Sequence, residues 1–343
     1  MSDQALYRIT VDGLDVSERF HPLLINLRVH LAAERVSDTA EIELDDTNGR
    51  IALPRDGAFM TIALGWRSSG LSLVFEGTVD DVKSRGARGA GRTLHISAKS
   101  AETRGQGKHN QEKHWDRKKL GEVMADAGRL AGFPVMVDPS LAAIEREWWG
   151  MQAESFFHFG HRLARETGGV FKVFGRRAIL AKRNRGLSVS GAVLSSVTAA
   201  WGSNLINWDL SPVVGRPRYK SVIARWYDMK AGKWKREKVD VGDQSSATAE
   251  NTTRFTEADQ EEAKGSGENA KEATDRNKGE GSVLIDGDPT ATPEGLCIMT
   301  GTRPGIDGAY RIDAVDHELS RRDGFTTQLS LKQPQDGAGS DSR

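Results

Sequence analysis

The sequence predicts a mainly β, α+β protein: two antiparallel β-barrel domains joined by a mixed α+β connection. Three observations predict it. Residues 1–100 carry a succession of short runs alternating apolar and polar, separated by turn residues. Residues 101–190 switch to a period of 3.6. Finally, Val79 to Lys99 slides without a gap onto Ile312 to Lys332 with identities that include Asp80/Asp313, Val82/Val315, Gly91/Gly324, Thr93/Thr326, Ser97/Ser330 and Lys99/Lys332, so one β unit is expected twice.

The elements follow in order. Tyr7-Ile9-Val11 alternates up to the turn Asp12-Gly13, and Ile25-Leu27-Val29-Leu31 alternates again. Ile42 and Leu44 sit between Glu41, Glu43 and Asp45, and Ile62-Leu64-Trp66 and Leu71-Leu73-Phe75 follow. Short strands broken by Asn48-Gly49 and Ser68-Ser69-Gly70 suit an antiparallel sandwich or barrel. The first domain, 1–100, closes with a hairpin from Val79 to Lys99 around GARGAG. In the connecting domain, 101–190, Asp116 is expected to cap a helix whose Leu120, Val123, Met124 and Ala127 form one stripe, ended by Gly132 and Pro134. A second helix runs from Glu154 or Ser155 to Thr167, stopped by Gly168-Gly169, and VFKVFGRRAILA forms a hairpin around Gly175. The second β domain, 191–333, includes Leu205 to Trp208, Ser221 to Tyr227, Ser282 to Ile285 and Leu296 to Thr300. A polar insertion at 244–281 interrupts it, read as exposed helix or partly disordered chain. Residues 334–343 are expected to be a flexible tail.

Composition bounds the function. The chain has 343 residues, 37% hydrophobic and 28% charged, with no net charge, and its mean hydropathy is −0.51. No run approaches the ~18 apolar residues of a membrane helix, and the N-terminus lacks the pattern of a signal peptide. The expected site of synthesis is therefore the cytoplasm. A lone cysteine, Cys297, excludes an intramolecular disulfide and any multi-thiolate zinc site. Zero net charge argues against binding by release of many counterions. Lys83 to Lys119 nevertheless holds eleven Lys/Arg against three acids, while residues 1–60 hold eleven acids against six bases. Such complementary patches suit subunit contacts, with a nucleic-acid surface as the other reading.

Two clusters look chemical. Asp313, Asp316 and His317 lie within five residues, but a strand rises ~3.3 Å per residue, so Asp313 and His317 are ~13 Å apart, and strict alternation puts Asp313 and Asp316 on opposite faces. Glu154, His158 and His161 have the i, i+4, i+7 spacing that can present metal ligands; Arg165 on the same face would repel a cation. His109 and His114 match no zinc signature, no HExxH, GxSxG or GxxxxGK[ST] occurs, and GARGAG precedes a strand instead of the helix a phosphate loop needs. Cys297, between Leu296 and Ile298, reads as a buried inert thiol. No catalytic, cofactor-binding or metal residue is therefore expected.

The order of elements carries a resemblance. A β region, the helix DRKKLGEVMADAGRLAGF and the block ESFFHFGHRLARETGGVFKV are followed by a second β region that closes with NKGEGSVLIDGDPTATPEGLCIMTG and GAYRIDAVDHELSRRDGFTTQLSL. Over residues 5–332 this resembles the phage late control protein D family, the baseplate hub of contractile tails, itself similar to the N-terminal hub region of VgrG. The resemblance implies two tube-like β-barrels per chain and a homotrimer, not an enzyme, whose ring of six similar units joins a sixfold tail tube to a threefold spike and forms part of the central conduit. It implies tail tube, spike and tape-measure proteins as partners, no membrane insertion, a place in the virion tail baseplate and assembly in the host cytoplasm. Any needle or lytic activity would belong to a separate chain. The alternative is a peptidoglycan-active or metal-dependent tail enzyme using Glu154, His158 and His161.

Overall fold

The computed structural model describes residues 3–341 apart from 34–36, 90, 102–104, 187, 189–192, 213–218, 229–230, 242–247, 258, 278 and 340. The first seven strands are β1 (Ala5–Val11), β2 (Leu14–Asp15), β3 (Leu24–Ala32), β4 (Thr39–Asp45), β5 (Phe59–Trp66), β6 (Gly70–Ala87) and β7 (Gly91–Lys99), with one helical turn, α1 (Ser17–Phe20), before β3. Alternation sets the buried face. Ala40, Ile42 and Leu44 of β4 meet Leu94, Ile96 and Ala98 of β7 across an antiparallel pair, all buried. Strict alternation fails at two bulges. Ile25 is an extra residue opposite β4, so Leu24, not Ile25, joins Leu27, Val29 and Leu31 in the core. Val74 is extra opposite β5, which turns Leu73 to solvent and buries Val74 and Phe75.

The connecting region folds as β8 (Gln111–Lys119), α2 (Leu120–Ala131), β9 (Val135–Val137), α3 (Pro139–Ala142), β10 (Glu145–Glu154), α4 (Phe156–Thr167), β11 (Gly169–Phe174) and β12 (Arg177–Lys182). Asp116 does not cap α2. It lies inside β8, opposite Trp148 of β10, and the first turn of α2 is closed instead by Glu122, which accepts the Lys119 backbone N–H at 3.1 Å. Ser155 caps α4 and Gly168 ends it at φ 67°, burying Phe156, Phe159 and Leu163. With Leu120, Val123, Met124 and Phe171 these make a second core of their own.

The remaining strands are β13 (Ser196–Ala200), β14 (Leu205–Ser211), β15 (Ser221–Asp228), β16 (Lys233–Asp240), β17 (Glu250–Glu257), β18 (Glu280–Asp286), β19 (Leu296–Thr300), β20 (Gly308–Ser320) and β21 (Gly324–Gln335), with α5 (Gln260–Arg276) between β17 and β18. The polar insertion is thus more ordered than its composition suggests, though 244–247, 258 and 278 lie outside the described residues. Its β17 joins β15 and β16 in a small sheet, and α5 packs on that sheet through Ala263 against Ala224 and Trp226. Gly267 is required there: a Cβ would sit 2.6 Å from Cγ2 of Val239. The tail also starts later than expected, since β21 runs to Gln335 and the Gly339 N–H donates to the Gly305 carbonyl at 2.9 Å.

Both β regions belong to one 13-stranded sheet, ordered β14-β18-β21-β20-β3-β4-β7-β6-β5-β1-β2, with β19 on β20 and β13 on β19. One core runs beneath it, from Ile9, Ile42 and Phe75 to Val283, Ile312 and Leu329. Pairing between the two ends of the sheet is absent among the described residues. The halves correspond over their four central strands, β3-β4-β7-β6 matching β14-β18-β21-β20; beyond these they differ, since β1 lies antiparallel to β5 and β13 parallel to β19. In β6, Asp80 is an extra residue opposite β7; in β20, at the matching position, Asp313 is an extra residue opposite β21. Each aspartate reaches the lysine of its partner strand, Asp80 to Lys99 at 2.7 Å and Asp313 to Lys332 at 2.9 Å. Each hairpin re-enters its second strand on a left-handed glycine, Gly91 (φ 80°) and Gly324 (φ 72°). The likeness extends to Leu24-Ile25-Asn26 and Leu205-Ile206-Asn207, where the isoleucine is the extra residue against β4 and β18 respectively.

Candidate functional site

The bulge decides what the Asp313 cluster is. Because it inserts one residue, Asp313 and Asp316 both project from the outer side of β20, against the strict-alternation expectation of opposite faces. Asp316 binds Arg28 and His30 of β3, each at 3.0 Å, while Asp313 binds Lys332 and Arg276. Arg276, at the end of α5 and 3% exposed, also binds Glu294 at 2.8 Å. Burial opposes ionisation of Asp313, yet Arg276 and Lys332 hold its carboxyl below the usual aspartate value. His317 faces the other way, fully buried between Phe325 and Thr327, with Nδ1 3.0 Å from the threonine hydroxyl and Nε2 without a partner. Burial pushes its imidazole down to about 4, so it is neutral at ordinary pH. The three residues are thus parts of a clamp on the insertion helix, a strand junction and the core.

Glu154 is the last residue of β10, ahead of α4, not on the helical wheel. It lies within 3.3 Å of His158 Nδ1, as the spacing implies, but Arg162, not the exposed Arg165, holds it, through Nε at 3.2 Å and through its second carboxylate oxygen. Arg162 also donates to the Gly150 carbonyl at 2.6 Å and to Glu166 at 2.9 Å. The cluster staples β10 to α4. His109 and His114 are exposed, and Cys297 is buried in β19, its thiol pushed up to about 12 by desolvation. No group of three or more His, Cys, Asp or Glu placed to hold a metal occurs among the described residues. GARGAG contains Ala90, outside the described residues, but its flanks are a strand–strand turn.

Two clefts flank the junction of the first β half with the connecting region. One, of about 460 Å³, is lined by Asp12, Arg55, Ser100, Phe133 and Arg176; its Asp12 carboxylate is taken by Arg55 at 2.9 Å and the Phe59 N–H at 2.9 Å. The other, about 410 Å³ and mostly apolar, has Asp38 and Lys172 on its wall. That ion pair ties β11 to the first β half: Lys172 also donates to the Ala32 carbonyl at 2.8 Å, and Asp38 receives the Ala32 N–H at 3.2 Å. Sequence reading missed Arg162, Arg276 and Lys172. Arg162 and Arg276 sit among other charged residues, with nothing local to distinguish them, while Lys172 lies in the apolar run Val170 to Phe174 and its partner Asp38 is far away in sequence.

No family model matches the chain. It is 28% identical over 233 residues to a probable baseplate hub protein of Escherichia phage 186, covering 68% of this chain and 59% of that protein. It is 29% identical over 226 residues to the corresponding protein of Escherichia phage P2, covering 65% and 57%. The matched region thus spans under two thirds of these relatives. Among solved structures, the 43 kDa tail protein of prophage MuSo2 from Shewanella oneidensis superposes with a TM-score of 0.72 at 14% identity, over 96% of this chain and 98% of that one. A tail protein of Neisseria meningitidis gives 0.72 at 12%, over 98% of both. An E. coli type VI secretion component, described as structurally similar to T4 phage tail proteins gp27 and gp5, gives 0.61 at 9%, over 98% and 79%. The structural matches establish the fold, and the sequence matches relate the chain to the probable baseplate hub proteins of P2-like phages.

Proposed function

We propose that the protein is a structural baseplate hub of a phage or phage-like contractile tail. It would act as a trimeric adaptor between a sixfold tail tube and a threefold spike, lining part of the central conduit. The observation that carries this reading is the duplication inside one chain: two β halves share bulge, Asp–Lys pair and turn, so three chains present six similar units. The names of the phage relatives support the same role. In this reading 1–100 and 191–333 serve as the two tube-like barrel domains, 101–190 connects them, and no residue is catalytic. Tail tube, spike and tape-measure proteins are the partners, and the baseplate is the destination after assembly in the host cytoplasm. Co-expression with candidate tail tube and spike proteins tests the role. Co-purification of a complex with three hub copies is expected; a hub that captures neither protein would refute it.

A further inference from the structure

The two halves meet inside the chain through one strand pair, and its counterpart on the other side of each half is unfilled. The last seven paired residues of β20, Ala314 to Ser320, lie antiparallel to Asn26 to Ala32 of β3. Among the described residues, the equivalent stretch of β6, Asp81 to Ala87, is paired to β7 on one side only, because the pairing of β5 along β6 ends with Phe59 opposite Thr78. The equivalent of β3 is β14, paired to β18 and ending the sheet among the described residues. Each half thus leaves open the edge that its counterpart uses, and an open edge is a template for another chain.

We infer that β6 of one chain pairs with β14 of a second copy, in the register of the β20–β3 junction; this deepens the trimeric reading above and rests on it. The hairpin correspondence places Asp81 to Ala87 on Ala314 to Ser320, and the Leu-Ile-Asn correspondence places Leu205 to Ser211 on Leu24 to His30. Copying the junction then sets Arg85 opposite Asp209, Gly86 opposite Trp208, and Lys83 opposite Ser211. None of these residues takes part in building that register, yet they complement one another. Within the chain the matching pairs are Glu318 with Arg28 and Leu319 with Leu27. The acid–base pair recurs with its sign reversed, and two leucines are replaced by a tryptophan and a glycine, so charge and bulk are both matched. Arg85 and Asp209 are exposed in the single chain, and Ile206 and Trp201 add apolar surface beside the β14 edge at 45% and 55% exposure. Because the two edges are different surfaces, the contact is head-to-tail and closes into a ring or continues as a filament.

The test joins cysteine cross-linking to charge reversal in the full chain. With Arg85→Cys and Asp209→Cys in one chain, a short bis-maleimide should give a ladder that stops at three, while Arg85→Cys with Leu14→Cys, at the far end of the sheet, gives none. Arg85→Glu or Asp209→Lys alone should weaken self-association by about tenfold or more in sedimentation velocity, and the double reversal should restore it. A trimer that forms without this cross-link and ignores both reversals overturns the strand pairing and leaves the trimeric reading standing. A chain that is monomeric at every concentration overturns both.

Discussion

Replacing Arg276 by alanine should destabilise the protein far more than removing Lys99, although each binds the bulge aspartate of its own half, Asp313 and Asp80. Arg276 is 3% exposed and its partners Glu294 and Asp313 are 13% and 15% exposed. Taking away one member of a buried cluster leaves its partners' charges uncompensated and costs about 3–5 kcal/mol. Lys99 and Asp80 are 37% and 22% exposed, and solvent screening puts such a pair at about 1 kcal/mol or less. The pH dependence gives a second readout. Asp313 is held below its ordinary pKa in the folded protein, so near that pH the unfolded chain binds more protons. Its contribution to stability is therefore present above about pH 4 and is lost as pH falls through the folded value. Arg276→Ala removes the larger of the two causes of the depression, leaving Lys332, and should reduce this acid-side loss. Urea unfolding followed by tryptophan fluorescence between pH 7 and 3 measures both effects. Equal costs for Arg276→Ala and Lys99→Ala at pH 7, with an unchanged acid slope, would refute the reasoning.

His317, neutral and buried with a pKa near 4 against 6.5 for an ordinary histidine, should make stability fall as pH drops from about 6.5 to 4, by up to roughly 3 kcal/mol. His317→Leu should abolish that portion of the titration, read from thermal midpoints across the range. Gly267→Ala should cost about 1–3 kcal/mol by forcing α5 off Val239, whereas Gly265→Ala, with open space around its Cβ, should stabilise by about 0.5–1 kcal/mol; a thermal shift comparison reads both signs. Cys297 should resist a maleimide at pH 8 until the protein is unfolded, because its thiol is buried and pushed up to about 12; rapid native labelling would contradict the placement of β19.

What the sequence made legible was whatever repeats with a short period. Ile42 and Leu44 against Leu94 and Ile96, the stripe of α2, and the start and stop of α4 were readable because one side-chain period fixes one buried face. The gapless match of Val79–Lys99 with Ile312–Lys332 was readable too, and the structure explains it by a shared bulge and turn. Bulges themselves were not legible: one inserted residue at Ile25, Val74 or Asp313 reverses the expected face of everything beyond it, without a local marker. The second Leu-Ile-Asn was visible but too short to count until β3 and β14 fell in the same place. Insertion helix α5 escaped a firm reading because its Ala263 contact and its buried Arg276 depend on β15, β16 and β20, far away in sequence. The same holds for Glu154, whose Arg162 partner turns an apparent ligand set into a staple.

Native mass spectrometry of the purified protein, alone and mixed with candidate spike and tube proteins, tests the proposed hub role most directly. Three copies per assembly, ~112 kDa as three times 37.5 kDa before partners are added, is the expected result. A mass of 37.5 kDa under every condition, with no partner retained, would contradict it.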